Sequence, residues 1–226
     1  MMQRPADLKE RVQCLIDASK KDGVAQAFEM ITDILRPLKM LYTGTAKAHE
    51  LMVHPSNLAP ALFVLDGEVE VVGGDRTRIP IRDLYPDPAV DWRSASVLSP
   101  TEIITGVRFK SAPNSAFIAL KQKQSFDWPM VSGYAVLELD GDVITSARTC
   151  AGAVAPRPHP LPQVDDALAG VSIDDEVRIR AACERSVDGA DPLPGTAYKT
   201  TLLPVAIRRA VAAATNPAGV DRGGDA

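Results

Sequence analysis

The stretch VSGYAVLELDGDVITSARTCAG, residues 131–152, decides the fold. Its two halves, Val131–Leu139 and Val143–Gly152, carry β-branched and apolar residues and flank Asp140-Gly141, a dipeptide suited to a type I′ turn. They predict an antiparallel hairpin. Toward the N-terminus, Glu102–Phe109 and Ser115–Gln122 read as further strands. Toward the C-terminus, Ala155-Pro156-Arg157-Pro158-His159-Pro160 breaks the strand pattern. Three helical segments follow: a short one around Val164–Leu168, one from near Ser172 to about Val187, and one after Tyr198. The last places Leu202, Leu203, Ala206, Ile207, Ala210, Val211 and Ala214 on one stripe. Strands followed by helices, rather than alternating with them, predict an α+β class: an antiparallel sheet with helices packed on it. Residues 216–226, polar and glycine-rich, are expected to be a disordered tail.

The first hundred residues read differently. Asp7 and Glu10 fit a capping box, and Leu8, Val12, Leu15 and Ile16 share a helical face. After Asp22-Gly23, Val24, Phe28, Ile31 and Leu35 repeat the spacing until Pro37 ends it, so residues 1–44 are expected to be mainly helical. His54-Pro55-Ser56 opens a short helix that Ser56 can cap, with Leu58, Ala61, Leu62 and Leu65 as its apolar face. Glu68–Val72 alternates as a half-buried strand does. Gly73-Gly74-Asp75 is a turn, and Arg78-Ile79-Pro80-Ile81 is a short strand whose proline predicts an edge. Residues 85–101, with Pro86, Pro88 and Pro100, read as the connection between two domains.

Composition excludes more than it assigns. With 226 residues, 46% hydrophobic and 24% charged, the chain has material for one large core or two small ones. A net charge of −4 gives no broad attraction to nucleic acid or anionic lipid. No apolar run reaches the roughly 20 residues of a membrane span. The opening MMQRPADLKERVQ lacks the apolar core of a secretory signal, so a cytoplasmic location is expected. Cys14, Cys150 and Cys183 are far apart, and His49, His54 and His159 show no metal-binding spacing; no metal or iron–sulfur site is expected in this chain. Glycine-rich dinucleotide and P-loop motifs do not occur. Gly73-Gly74 reads as a hairpin turn rather than a phosphate cradle, because no helix pattern follows it. One segment is richer: Leu120–Met130 gathers Lys121, Lys123, Phe126 and Trp128 at a strand end. Lys121 there can meet an anionic or carbonyl-bearing ligand, and Trp128 can cover a flat ring. The same residues also describe an edge strand with protective lysines and a core tryptophan.

Several stretches together resemble a known family. His54-Pro55-Ser56-Asn57-Leu58-Ala59-Pro60-Ala61-Leu62 followed by Leu65-Asp66, then Leu98–Thr105, Ser115–Gln122, Ser125-Phe126-Asp127-Trp128-Pro129, Leu137–Gly141, Gly152–Pro158 and Ala197-Tyr198-Lys199, are similar in order and spacing to FAD subunits of the xanthine dehydrogenase and carbon monoxide dehydrogenase family. The resemblance implies a partial second FAD-binding lobe over residues 45–96 and a C-terminal α+β domain over 97–215. It implies a subunit that takes electrons from iron–sulfur clusters through FAD to an acceptor. The partners implied are a molybdenum-cofactor subunit, an iron–sulfur subunit and a separate chain carrying the missing FAD lobe. The matched motifs put Asn57, Ile104 and Lys121 at flavin-contacting positions; Trp128 joins them by proximity alone. Two departures accompany the match. The family's aspartate is Asn57 here, which keeps an acceptor oxygen but removes the charge. The family's glycine-rich phosphate loops find no match. Each lost charge-assisted bond is worth about 1.5–3 kcal/mol net, so weak or absent FAD binding, and no activity by this chain alone, is the expectation. A non-catalytic docking module that has lost FAD is the alternative.

Overall fold

Two turns of helix lodged between two sheets organise the molecule. The computed structural model describes residues 53–88, 90–91, 94–123, 127–193 and 195–215; the helices expected before residue 44 and the tail 216–226 lie outside the described residues. The first element, α1 (Leu58–Val64), buries Ala59, Pro60, Leu62 and Val64. Leu58, expected on the apolar face, is 61% exposed. The helix has two packing partners, so its buried positions are not those of a single stripe. Leu62 enters a core with Val69, Val71, Ile79, Ile81 and Leu84, while Val64 enters another with Tyr134, Val136 and Cys150.

The first sheet has the order β2-β1-β3, from β1 (Glu68–Val72), β2 (Arg78–Pro80) and β3 (Ile103–Arg108), all antiparallel. Pro80 closes β2 at the edge, as its missing N–H requires. Ile81 does not extend that strand; it begins a single helical turn, α2 (Ile81–Leu84). The strand from Glu102 was expected in the downstream sheet, yet β3 pairs with β1, Val69 facing Val107 and Val71 facing Ile104. The change from one sheet to the other therefore falls between Arg108 and Ser115, past the boundary expected at residues 96–97.

The second sheet runs β4-β5-β6-β7, from β4 (Ser115–Leu120), β5 (Val131–Asp140), β6 (Val143–Gly152) and β7 (His159–Pro160), with β8 (Val171–Ser172) also on β6. The predicted hairpin is present, but Asp140 pairs with Val143, so the two loop residues are Gly141 and Asp142. Gly141 has φ +60° and Asp142 is not left-handed, the pattern of a type II′ turn rather than I′. Residues Val131–Leu137 are buried on both faces because helix α5 (Tyr198–Thr215) covers one and α1 the other. The predicted stripe of α5 holds: Leu203, Ala206, Ile207, Ala210, Val211 and Ala214 are fully buried, and Leu202 packs at its margin. Helices α3 (Pro162–Leu168) and α4 (Glu176–Glu184) complete the layer; α4 starts later than Ser172, where the Asp175 carboxylate accepts from the Arg178 N–H at 3.0 Å.

The helix layer sits close because residue 133 has no side chain. A Cβ on Gly133 would stand 2.7 Å from the Ala206 carbonyl carbon and 2.8 Å from the Ile207 nitrogen, both backbone atoms of α5 that cannot swing aside. Gly133→Val is expected to push α5 off the sheet and lower stability by about 3 kcal/mol, at the upper end of overpacking costs, measured by urea unfolding.

Candidate functional site

Lys121 and Trp128 leave and re-enter the second sheet at one end. The Met130 N–H donates to the Leu120 carbonyl at 2.8 Å, closing the loop between them. Lys121 is exposed just past the end of β4, which is an edge strand. Trp128 is 57% exposed, so it is not the core tryptophan of the bland alternative. It lines a cleft of about 470 Å³ with Gln122, Asp127, Met130, Tyr198 and Lys199.

Lys199 is the residue that sequence reasoning missed. It lies within the quoted Ala197-Tyr198-Lys199 motif, yet only the fold shows it buried, donating its ammonium to the Ala153 carbonyl. Ala153 itself is left-handed at φ 61°. Two residues on, the Ala155 carbonyl accepts from the His54 N–H at 2.8 Å. The start of α5, the end of β6 and the segment leading into α1 are thereby joined. Ser56 Oγ then accepts from the Leu58 and Ala59 amides at 3.1 and 3.0 Å, which caps α1 as predicted. Asn57 makes no cap bond with its side chain and is exposed. Pro60, one turn on, packs beside Gly152, whose strand partner is Ser132. The helix that begins beside Asn57 therefore sits over the end of the sheet from which Lys121 and Trp128 emerge. Ile104 belongs to the first sheet, opposite Val71 and 40% exposed. The fold thus distributes the four residues over two sheets, with three toward one end of the second. Phe117, also missed, is 54% exposed on β4 and stacked on Tyr134 at 5.4 Å.

The Gly73-Gly74 turn is closed to a phosphate. Gly73 has φ +95° and its Cα faces the Thr101 carbonyl, leaving no room for a Cβ. A Cβ on Gly74 would stand 2.7 Å from Glu102 Oε1. That carboxylate accepts from Arg76 Nε at 2.7 Å, from Arg76 Nη2 at 2.8 Å and from the Ser99 N–H at 2.8 Å, and these bonds hold its pKa down at about 2. The space at this turn is taken by a backbone carbonyl and by a carboxylate already engaged by Arg76 and Ser99. The described residues fit a flat, carbonyl-bearing ring, through an exposed lysine, exposed aromatics and an amide; at this turn they do not fit a diphosphate.

Among the described residues, no group of three His, Cys, Asp or Glu converges to hold a metal ion, and no helix is long and apolar enough to cross a membrane. Cys150 and Cys183 are buried among apolar side chains, and that burial raises both thiol pKa values, Cys183 to about 12. They are packing residues rather than nucleophiles.

An antiparallel sheet with a long alanine-rich helix on one face is the class of the C-terminal domains found in flavin subunits. Residues 115–214 match the CO dehydrogenase flavoprotein C-terminal domain, a likeness to the FAD subunits of the molybdenum hydroxylase family. The aldehyde oxidoreductase FAD-binding subunit PaoB of Escherichia coli (strain K12) is 28% identical over 123 residues, 53% of this chain and 37% of that protein. Little more than a third of that relative's length is therefore spanned. Among solved structures, quinoline 2-oxidoreductase from Pseudomonas putida 86 superposes with a TM-score of 0.62 at 16% identity, over 89% of this chain and 72% of its own. Carbon monoxide dehydrogenase from Hydrogenophaga pseudoflava, in a form lacking the Mo-pyranopterin moiety, gives 0.59 at 20% identity, over 88% and 66%. These two share the fold.

His54 lies at the root of α1 with its ring edge-on to Tyr85, centroids 4.5 Å apart. Burial depresses its pKa to about 4, and burial and Arg157 do the same to His159. Both folded-state values lie below the unfolded 6.5, so between about pH 6.5 and 4 the unfolded chain binds protons that the folded chain refuses. Stability is therefore lost as pH falls through that window, by up to roughly 3 kcal/mol per histidine. The Asp165 carboxyl, which burial raises to about 6, works in the opposite sense below that pH and offsets part of the loss; His54→Phe is expected to lose less stability than the natural protein in thermal melts from pH 7 to 4.5.

Proposed function

We propose that this chain works as the flavin-bearing part of a molybdenum hydroxylase-type oxidoreductase, inactive by itself. In this reading it stands beside a molybdenum-cofactor subunit, an iron–sulfur subunit and polypeptide supplying the rest of the FAD lobe, in a cytoplasmic assembly. FAD, when bound, supplies the carriage of electrons between the clusters and an acceptor. The observation that carries the reading is the position of Lys121: an exposed cation at the end of an edge strand, next to an exposed tryptophan, in a domain of the CO dehydrogenase flavoprotein type. Lys121 is suited to donate to a ring oxygen and to favour negative charge there. Asn57 offers an amide to a hydroxyl or carbonyl, and Ile104 an apolar side chain to a ring face. Trp128 borders the cleft and limits water beside the ring. No phosphate is gripped by the Gly73-Gly74 turn, so the pyrophosphate must be held elsewhere.

That closed turn also favours a second reading, in which the chain docks within such a complex without holding flavin. Flavin content separates the two. The protein purified with its natural partners is expected to carry stoichiometric FAD by visible absorbance, and the chain alone little. Lys121→Ala is expected to cut electron transfer to the acceptor by about tenfold or more, the loss of one charged hydrogen bond. Absence of flavin from both preparations would leave only the docking reading.

A further inference from the structure

An open sheet edge is a row of unpaired backbone groups, and folds blunt it with a short strand, a proline, a charge or a bulge. Among the described residues, the other outer strands carry such a device. β2 has three residues and ends on Pro80. β7 has two and ends on Pro160, and β8 has two. β3 has a register shift at Thr105, between the Gly106–Glu70 and Ile104–Val71 pairs. β4 has none of these. Its six residues, Ser115-Ala116-Phe117-Ile118-Ala119-Leu120, include no proline and no charge, and they run against β5 without a shift.

The ladder fixes where the free groups of β4 point. The Leu137 N–H donates to the Asn114 carbonyl at 2.9 Å. Bonding alternates along an antiparallel strand, so Ala116, Ile118 and Leu120 bond toward β5. Ser115, Phe117 and Ala119 aim N–H and C=O outward. The core is unfinished at the same edge. Ala116, Ile118 and Leu120 pack beneath α5 yet are only partly buried, while Ala135 and Val131 opposite them on β5 are fully buried. On the other face, Phe117 is 54% exposed.

We propose that a second copy of this chain closes this edge, β4 pairing antiparallel with its own counterpart about a two-fold axis to give one continuous sheet. Opposed residues must share a face, which limits the register to a few choices. Centring on Phe117 would set Lys121 against Pro113, which has no N–H to give. Centring on Ala119 would leave Ser115 facing a residue past the end of the strand. Centring on Ile118 meets every constraint. Phe117 then opposes Ala119 of the other copy, large beside small. Ile118 opposes Ile118 and extends the layer beneath α5. Lys121 meets Ser115, so no like charges are opposed. The strand is thereby its own complement, as a two-fold interface requires. This interface goes beyond the flavin reading and does not rest on it.

The test is the mass of the full chain in solution, by sedimentation over a range of concentrations. A reversible dimer at twice the chain mass is expected. Ala119→Pro removes an outward N–H and leaves the β4–β5 ladder intact. It is expected to weaken the dimer by about 30-fold or more, the loss of two interchain hydrogen bonds. Should that variant fail to fold in a thermal melt, Phe117→Lys weakens the dimer without touching the backbone, by bringing a cation near Lys121 of the other copy. Ile118→Cys, in a Cys14→Ser background, reports the register. A non-hydrogen-bonded pair stands about 4.5 Å apart at Cα, within disulfide range, so oxidation should link the two copies. A natural chain that stays monomeric at its highest soluble concentration overturns the proposal, and so does a dimer whose strength neither Ala119→Pro nor Phe117→Lys changes. A dimer that both weaken but that Ile118→Cys fails to link overturns the register. If the chain alone is monomeric and Ala119→Pro instead prevents assembly with its natural partners, a strand of another polypeptide takes the edge and the second copy is wrong.

Discussion

A seven-residue helix that must bury side chains in two directions is the constraint on which the rest of this structure depends. Burying an aliphatic side chain fully is worth about 1.5–3 kcal/mol, and α1 does so twice, with Leu62 into the small sheet and Val64 into the large one. The small sheet has a core of six buried residues and would be marginal on its own. It is held by being packed, through α1, against a second sheet that α5 has already stabilised from behind. Sheet, helix and sheet are one stack, and the order of burial along β5, continuous rather than alternating, is its signature.

Polar contacts fix the angle of that stack. Asp66, left-handed at φ 51°, ends the turn after α1. Its carboxylate accepts from Arg82 of α2 at 2.5 Å and from Arg148 of β6 at 3.0 Å, while Arg148 also donates to the Val64 carbonyl at 2.9 Å. Partly exposed pairs such as these contribute little energy individually. Their value is geometric, because a forked guanidinium bonded to a carbonyl and a carboxylate admits few orientations. Lys199 performs the matching task at the other end of β6, where its buried ammonium donates to the Ala153 carbonyl.

The stack is incomplete on one side of the large sheet. α5 and α3 together cover one face of the large sheet, but α1 is too short to cover the other. The outer strand β4 therefore keeps an exposed phenylalanine, a small residue and a lysine in line, and the loop that follows keeps an exposed tryptophan. On the small sheet, Ile104 and Val107 share the face of buried Val69 and Val71 yet remain 40% and 41% exposed. Rigid secondary structure presents most of these residues.

Local order was largely legible in the residues. The strands from Ser115, Val131 and Val143, the β1 alternation and the α5 stripe all follow from side-chain period, which is a property of neighbours in the chain. The same logic placed Ser56 as a cap and Lys121 at a strand end. What local pattern cannot carry is which elements meet. It put β3 in the wrong sheet, because a strand's partners depend on long-range pairing rather than on its own composition. It misjudged the face of α1, because a helix between two layers has no single apolar side. It shifted the hairpin turn by one residue, since both Asp140-Gly141 and Gly141-Asp142 satisfy turn chemistry and the cross-strand register chooses. The Lys199 ammonium meets a carbonyl from 46 residues upstream, a contact that no local pattern around residue 199 signals. The sequence by itself determined the α+β class, the helix and strand periods and the residue types available to a ligand. The tertiary structure alone decided which of them are covered and which stand together, because burial and proximity are set by the packing of distant segments.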